Sequence, residues 1–189
     1  GQIWASSVNS LHVFNGETFI RAAQTTQPIS FRTVFNLADK TMLFLDFNGL
    51  NQRDAGKHNL LFKLDPVLLK NNPGYFYAED KHSVWLANNS GVYHVDDKGN
   101  QHQYLADVTA NQIVKDREGN MWFTTNNGIY MLPEKSKRVY IMTRNQGLSH
   151  NGIKSVMKDR SNRLWLGMDN GMINILNEQL KIIKRIQLT

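Results

Sequence analysis

Short apolar runs separated by polar clusters rich in Asn, Asp and Gly recur along the whole chain. The clearest case runs from Asp116 to Tyr130. Asp116-Arg117-Glu118-Gly119 predicts a tight turn, in which Asp accepts backbone hydrogen bonds and Gly supplies positive φ. Met121-Trp122-Phe123-Thr124-Thr125 is apolar, aromatic and β-branched, and predicts a strand buried on both faces. Asn126-Asn127-Gly128 predicts a second turn, and Ile129-Tyr130 opens the returning strand.

The pattern is written again on both sides. Trp165 and Gly171, like Trp85 and Gly91, stand at the same separation as Trp122 and Gly128. Trp4 with Ser10, and Leu43 with Gly49, give weaker copies. With that position as an anchor, Trp4, Leu43, Trp85, Trp122 and Trp165 are spaced by 39, 42, 37 and 43 residues. A period of about 40 with several short strands per unit indicates a β-propeller blade. A single unit of this size cannot bury both of its faces, so neighbours must stack on it. The five anchors are therefore expected as a structural repeat core, with each large side chain packed between adjoining blades.

The fold expected is all-β: a β-propeller, partial or about five-bladed, of four-stranded antiparallel blades. The whole of 1–189 reads as one propeller segment. Its blades are expected at 1–24 (incomplete), 31–72, 74–107, 108–143 and 144–189. Ile113–Asp116, Val156–Asp159 and Phe76–Glu79 occupy equal places before their Trp, which supports the repeat independently of the indole. Residues 65–73 form the longest connection and predict one helical turn, capped by Asp65 with Pro66 in first position. Gly1 falls inside a repeat, so further residues are expected upstream.

Composition narrows the chemistry. The absence of Cys excludes disulfides, thiolate nucleophiles and Cys-ligated zinc. No apolar run approaches the roughly 20 residues of a membrane-spanning helix. The net charge of +6 is uneven: residues 1–134 carry −2 and residues 135–189 carry +8. Lys181, Lys184 and Arg185 alternate imperfectly with Ile182, Ile183 and Ile186, as in an outer strand with one wet face. Lys at such an edge also discourages sheet-to-sheet pairing. No nucleic-acid partner is expected for this segment.

The units resemble the two-component regulator propeller repeat. Gly147-Leu148-Ser149-His150-Asn151, Asp159, Leu164-Trp165-Leu166-Gly167 and Gly171 carry the resemblance, as do Asp116, Gly119, Trp122 and Gly128. The motif extends over residues 75–176, and the period over the whole chain. The third unit departs in its first turn, Glu79-Asp80-Lys81-His82, and the first two units are decayed. The resemblance implies the extracytoplasmic, periplasmic part of a bacterial sensor histidine kinase or hybrid two-component protein. It further implies that the parent chain spans the inner membrane, and that carbohydrate is sensed.

No specific catalytic motif is present. The six His make no His-x-x-x-His or His-Glu-x-x-His pair, and Gly-x-Ser-x-Gly and phosphate loops are missing. No cofactor and no metal are expected, and His94 and His102 read as a surface pair across a hairpin. What remains is a binding face, where connections entering the inner strands meet the turns that follow the Trp strands. Its candidate residues are Arg32, Tyr75, Asn111, Asn126, Asn127, His150, Asn151, Lys154, Asp169 and Asn170. Amides together with an aromatic ring suit an oligosaccharide. Asn in turns also serves the backbone, so turn chemistry is the competing account of the same residues. Two other functions stay open. One is a propeller lyase, for which His150 is the one His placed on that face. The other is a dimerisation or interaction scaffold that self-associates through propeller faces or open edges.

Overall fold

The computed structural model describes residues 3–6, 10–24, 34–36, 41–45, 49–54, 57–70, 75–136 and 138–188. Five antiparallel sheets follow one another along the chain. The first has three strands, β1 (Trp4–Ser6), β2 (Ser10–Phe14) and β3 (Phe19–Gln24). The second has four, β4 (Val34–Asn36), β5 (Met42–Leu45), β6 (Gly49–Asp54) and β7 (Lys57–Lys63). A short helix, α1 (Pro66–Lys70), leads to β8 (Tyr75–Asp80), β9 (Ser83–Asn88), β10 (Gly91–Val95) and β11 (Gln101–Ala106). The fourth sheet is β12 (Ala110–Lys115), β13 (Met121–Thr125), β14 (Gly128–Leu132) and β15 (Tyr140–Met142). The fifth is β16 (Ile153–Lys158), β17 (Leu164–Met168), β18 (Met172–Leu176) and β19 (Ile182–Gln187). Each sheet pairs its strands in sequence order, the up-and-down meander of a propeller blade.

Two compact units are present, Gly1–Leu86 with Tyr93–His102, and Ala87–Val92 with Gln103–Thr189. In the first, Leu43, Leu45, Leu50, Phe76 and Leu86 form a buried cluster that Leu68 of α1 joins. Pro66 does open this helix, and the Asp65 carbonyl accepts from Leu68 N at 2.9 Å. In the second unit, Trp122 and Ile129 of one sheet pack with Ile153, Val156, Leu164, Leu166 and Leu176 of the next.

The Trp strand is buried throughout in β13, as its composition predicts. Trp85 and Trp122 are each 5% exposed and Leu43 is 0% exposed, so these anchors are core residues. Trp165 is half-buried. The side chain of Trp4 lies outside the described residues. The Gly after the Trp strand has a steric cause. Gly128 has φ +102, and a Cβ there would lie 2.4 Å from the Met142 carbonyl oxygen of the outer strand. Gly91 repeats this against the Leu105 carbonyl.

One element escaped the sequence pattern. A 3-10 turn spans Arg144–Gln146. Thr143 caps it, and Gln146 reaches back to the Thr143 backbone N–H at 2.9 Å, completing a capping box. The Thr-x-x-Gln spacing was the available signal. His94 and His102 do lie near enough to interact, but only His102 is at the surface. His94 is half-buried, its Nε2 is 2.9 Å from Ser83 Oγ, and its ring lies 4.6 Å from the Trp85 ring. Burial lowers its pKa from 6.5. His102 is exposed. Among the described residues no helix is long and apolar enough to cross a membrane.

Candidate functional site

Two ends of the strands in the second unit carry polar groups, and they are built differently. At one end, three backbone ties join the connection before β12, the β13–β14 turn, the connection before β16 and the β17–β18 turn. Asn126 N donates to Thr109 O at 3.0 Å, Gly128 N to Asn151 O at 2.7 Å, and Asp169 N to Gly152 O at 3.0 Å. These ties bring together Asn126, Asn127, His150, Asn151, Asp169 and Asn170, all candidates from the sequence. Asn111 adjoins them through its Nδ2, which donates to Ile153 O at 2.8 Å. Lys154 follows on β16 and is exposed.

Several of these amides are committed to the backbone. Asn126 Oδ1 accepts from Thr109 N at 3.1 Å, Asn151 Oδ1 from Arg144 N at 2.7 Å, and Asn170 Oδ1 from Met172 N at 3.1 Å. Turn chemistry therefore accounts for part of the Asn enrichment. The Asn127 side chain differs: it is exposed, and among the described residues only its backbone N is engaged, by Thr125 Oγ1 at 2.9 Å.

His150 and Asp169 form the polar pair at the centre of this end. Nδ1 lies 2.7 Å from Asp169 Oδ1, with the two side chains 40% and 38% exposed. Gly152 N also approaches Nδ1, at 3.1 Å. One ring nitrogen cannot accept from an amide and donate to a carboxylate at once, and the shorter contact places the proton on Nδ1. Nε2 is then left as an acceptor in the neutral ring. A Cβ on Gly152 would stand 2.0 Å from Asp169 Oδ2, so any side chain there would displace the Asp169 carboxylate. Tyr75 is half-buried and belongs to the first unit. Arg32 lies outside the described residues.

At the opposite strand ends the sequence reading placed no site, yet a cleft of about 360 Å³ opens there. Trp122, Met131, Leu164 and Leu180 give it an apolar floor, and Asp116 and Lys158 line its side. Asp116 Oδ1 accepts from Glu118 N and Asn120 N, and Oδ2 accepts from Trp122 Nε1 at 2.9 Å. Lys158 Nζ bridges Asp116 and Glu118. Burial pushes the Asp116 carboxyl upward, but the Trp122, Asn120 and Lys158 partners outweigh it and hold its pKa low. Asp159 repeats the device, with Trp165 Nε1 donating to its Oδ2 at 2.9 Å. That bond, aided by Arg163 and Ser161, lowers its pKa to about 2. Asp and Trp stand six residues apart in both repeats, a spacing that could have disclosed the pairing. Among the described residues no group of three or more His, Asp or Glu is arranged to hold a metal ion.

Residues 104–127 and 147–170 match the family described as two component regulator propeller. The chain has no match among curated proteins. Among solved structures it is similar to virginiamycin B lyase from Staphylococcus aureus, at 14% identity and TM-score 0.74, covering 100% of this chain and 67% of that one. It is also similar to extracellular domains of hybrid two component systems from B. thetaiotaomicron. One aligns at 18% identity and TM-score 0.70, over 92% of this chain and 25% of that one. Another aligns at 13% identity and TM-score 0.61, over 98% and 33%. At these identities the likeness shows the fold, a β-propeller. The chain spans a quarter to a third of the length of the extracellular domains.

Proposed function

We propose that this chain, whose residues 104–127 and 147–170 match the two component regulator propeller, is an extracytoplasmic ligand-sensing segment of a two-component signalling protein that binds carbohydrate without converting it. The structural likeness to extracellular domains of two component systems supports the setting. The observation that carries the binding site is the tied polar end of the second unit. Backbone hydrogen bonds between turns fix Asn127, His150, Asp169 and Asn170 beside one another while leaving polar groups directed outward. A preformed set of amide, imidazole and carboxylate groups suits the hydroxyls of a sugar, because little ordering is required on binding.

The test is calorimetric titration of the protein with a panel of oligosaccharides, each mixture then analysed by mass spectrometry. Binding with recovery of intact glycan is expected, weakened by about tenfold in Asn127→Ala, in keeping with one lost hydrogen-bonding group. The His150–Asp169 pair favours a second reading, a lyase, since it leaves one imidazole nitrogen as a base. Glycan or cyclic peptide converted to product, and conversion lost in His150→Ala, establishes that reading instead. Absence of glycan binding by the protein from its full reading frame rejects carbohydrate as the ligand.

A further inference from the structure

The cleft between β12–β15 and β16–β19, at the strand ends opposite His150, has a volume of about 360 Å³. That is room for a small molecule, whose sites start at about 300 Å³. Its floor is apolar: Trp122, Met131, Leu164 and Leu180 line it, and the same four line an adjoining hollow of about 30 Å³ that Tyr140 and Ile141 also border. Leu180 holds its place at a backbone cost. It adopts the left-handed conformation, φ 57, which disfavours any side chain. Leu180 N donates to Asn177 O just as Gly99 N donates to Asp96 O in the third sheet, so a leucine stands where that turn has glycine. What the leucine adds is an apolar side chain packed against the shared core.

The rim is acidic. Three carboxylates, Asp116, Glu118 and Glu178, stand against one ammonium, Lys158, which leaves the lining at −2. The chain as a whole carries +6, and residues 135–189 carry +8, so this sign is local. Lys158 is already engaged, its Nζ bridging Asp116 and Glu118. Glu178 is exposed and accepts from Asn162 Nδ2 at 3.0 Å. Among the described residues it has no cationic partner. An anion would meet a negative rim whose one cation is taken. A metal ion would need converging ligands, and among the described residues no such group exists. A neutral ligand would gain nothing from the charge. An organic cation with an aliphatic body uses both the floor and the rim.

We propose that this cleft binds an aliphatic ammonium group, with its hydrocarbon chain over Trp122, Leu164 and Leu180 and its charged end at Glu178 and Glu118. The inference is independent of what the polar end around His150 binds.

The probe is pentylammonium chloride, titrated into the 189-residue chain at fixed ionic strength and followed by NMR through the Trp122 indole N–H, which is fixed by its bond to Asp116. A saturable shift of that resonance is expected. Pentan-1-ol, with the same body and no charge, is expected to bind about tenfold more weakly, and pentanoate more weakly still. Glu178→Gln, at an exposed position that can keep the Asn162 bond, is expected to weaken pentylammonium by about fivefold. Leu180→Gly, which suits the left-handed backbone but removes part of the floor, is expected to weaken it by a similar factor, about fivefold. Nα-acetyl-lysine N-methylamide carries the same group on a peptide. Binding as tight as pentylammonium names a lysine side chain as the source and weaker binding names a free amine, and the proposal stands in both cases. Equal affinity for pentan-1-ol and pentylammonium overturns it. So does unchanged affinity in Glu178→Gln, or a response at the His150 end with none at Trp122.

Discussion

Trp122 and Trp165 occupy the same place in consecutive repeats, and they make the same local bond. Each indole N–H donates at 2.9 Å to the carboxylate six residues earlier. Their burial nevertheless differs: Trp122 is 5% exposed, and Trp165 is half-buried. The hydrogen bond belongs to the repeat, because turn and strand place Asp and indole together within one hairpin. Burial belongs to the neighbour, because only another sheet can lie on the ring. A recurring aromatic residue in a repeat protein thus reports two quantities, one local and one contributed from outside the unit.

The comparison can be broken most directly by truncation. Trp122→Ala is expected to cost about 3–5 kcal/mol, the range for removing a buried large aromatic side chain. Trp165→Ala is expected to cost less, roughly 2–3 kcal/mol, since part of its surface is already exposed. Urea denaturation of the two variants decides it, and equal losses would show that the covering sheet contributes little. The carboxylate partners sharpen the same contrast. Asp116→Ala removes a carboxylate whose side chain is 1% exposed and leaves Lys158 without that partner. A loss of about 2–3 kcal/mol is expected, from unsatisfied donors at a part-buried charge. Asp159→Ala, with a more open side chain, should destabilise less in the same denaturation series.

A further variant addresses the tied polar end. In Gly152→Ala the new methyl collides with the Asp169 carboxylate and must separate it from His150. A loss of about 1 kcal/mol is expected, with a shift of the His150 ring resonances in NMR. Unchanged resonances would show that the loop yields without disturbing the pair.

The smallest effects concern pH. Asp159 titrates at about 2 in the folded chain, below its ordinary 3.8. The unfolded chain therefore takes up its proton first as pH falls. The stabilisation from this group is present above 3.8 and disappears as the pH drops toward about 2. Asp116 acts in the same direction. His94, lowered from 6.5 by burial, likewise supports the fold above 6.5 and ceases to do so as pH falls through its lowered value. Stability of Asp159→Asn measured from pH 5 downward should show a shallower acid limb than the parent, and an identical limb would remove Asp159 from the account.

Much of this architecture is legible in the amino-acid sequence. Strand positions follow from apolar runs and turn residues because a strand needs only local alternation and a turn only a few permissive residues. The meanders β12–β15 and β16–β19 were readable for that reason, and so was Pro66 at the head of α1. The 3-10 turn at Arg144–Gln146 was not, since a single capping box carries little weight inside a polar connection. The polar end was half legible. The sequence nominated Asn126, Asn127, His150, Asp169 and Asn170, but it could not distinguish an amide held by a backbone N–H from one facing outward. The same local pattern yields both.

By itself, then, the sequence determined the repeat: where each strand and turn falls, which residue anchors each sheet, and which Gly must follow it. These are consequences of chemistry between residues close along the chain. Only the tertiary structure decided that Asp116 reaches across to Lys158, that His150 meets Asp169, and that Trp122 is buried while Trp165 is half-buried. Those contacts join segments far apart in sequence. Their distances depend on how one sheet lies upon another, which no local pattern encodes.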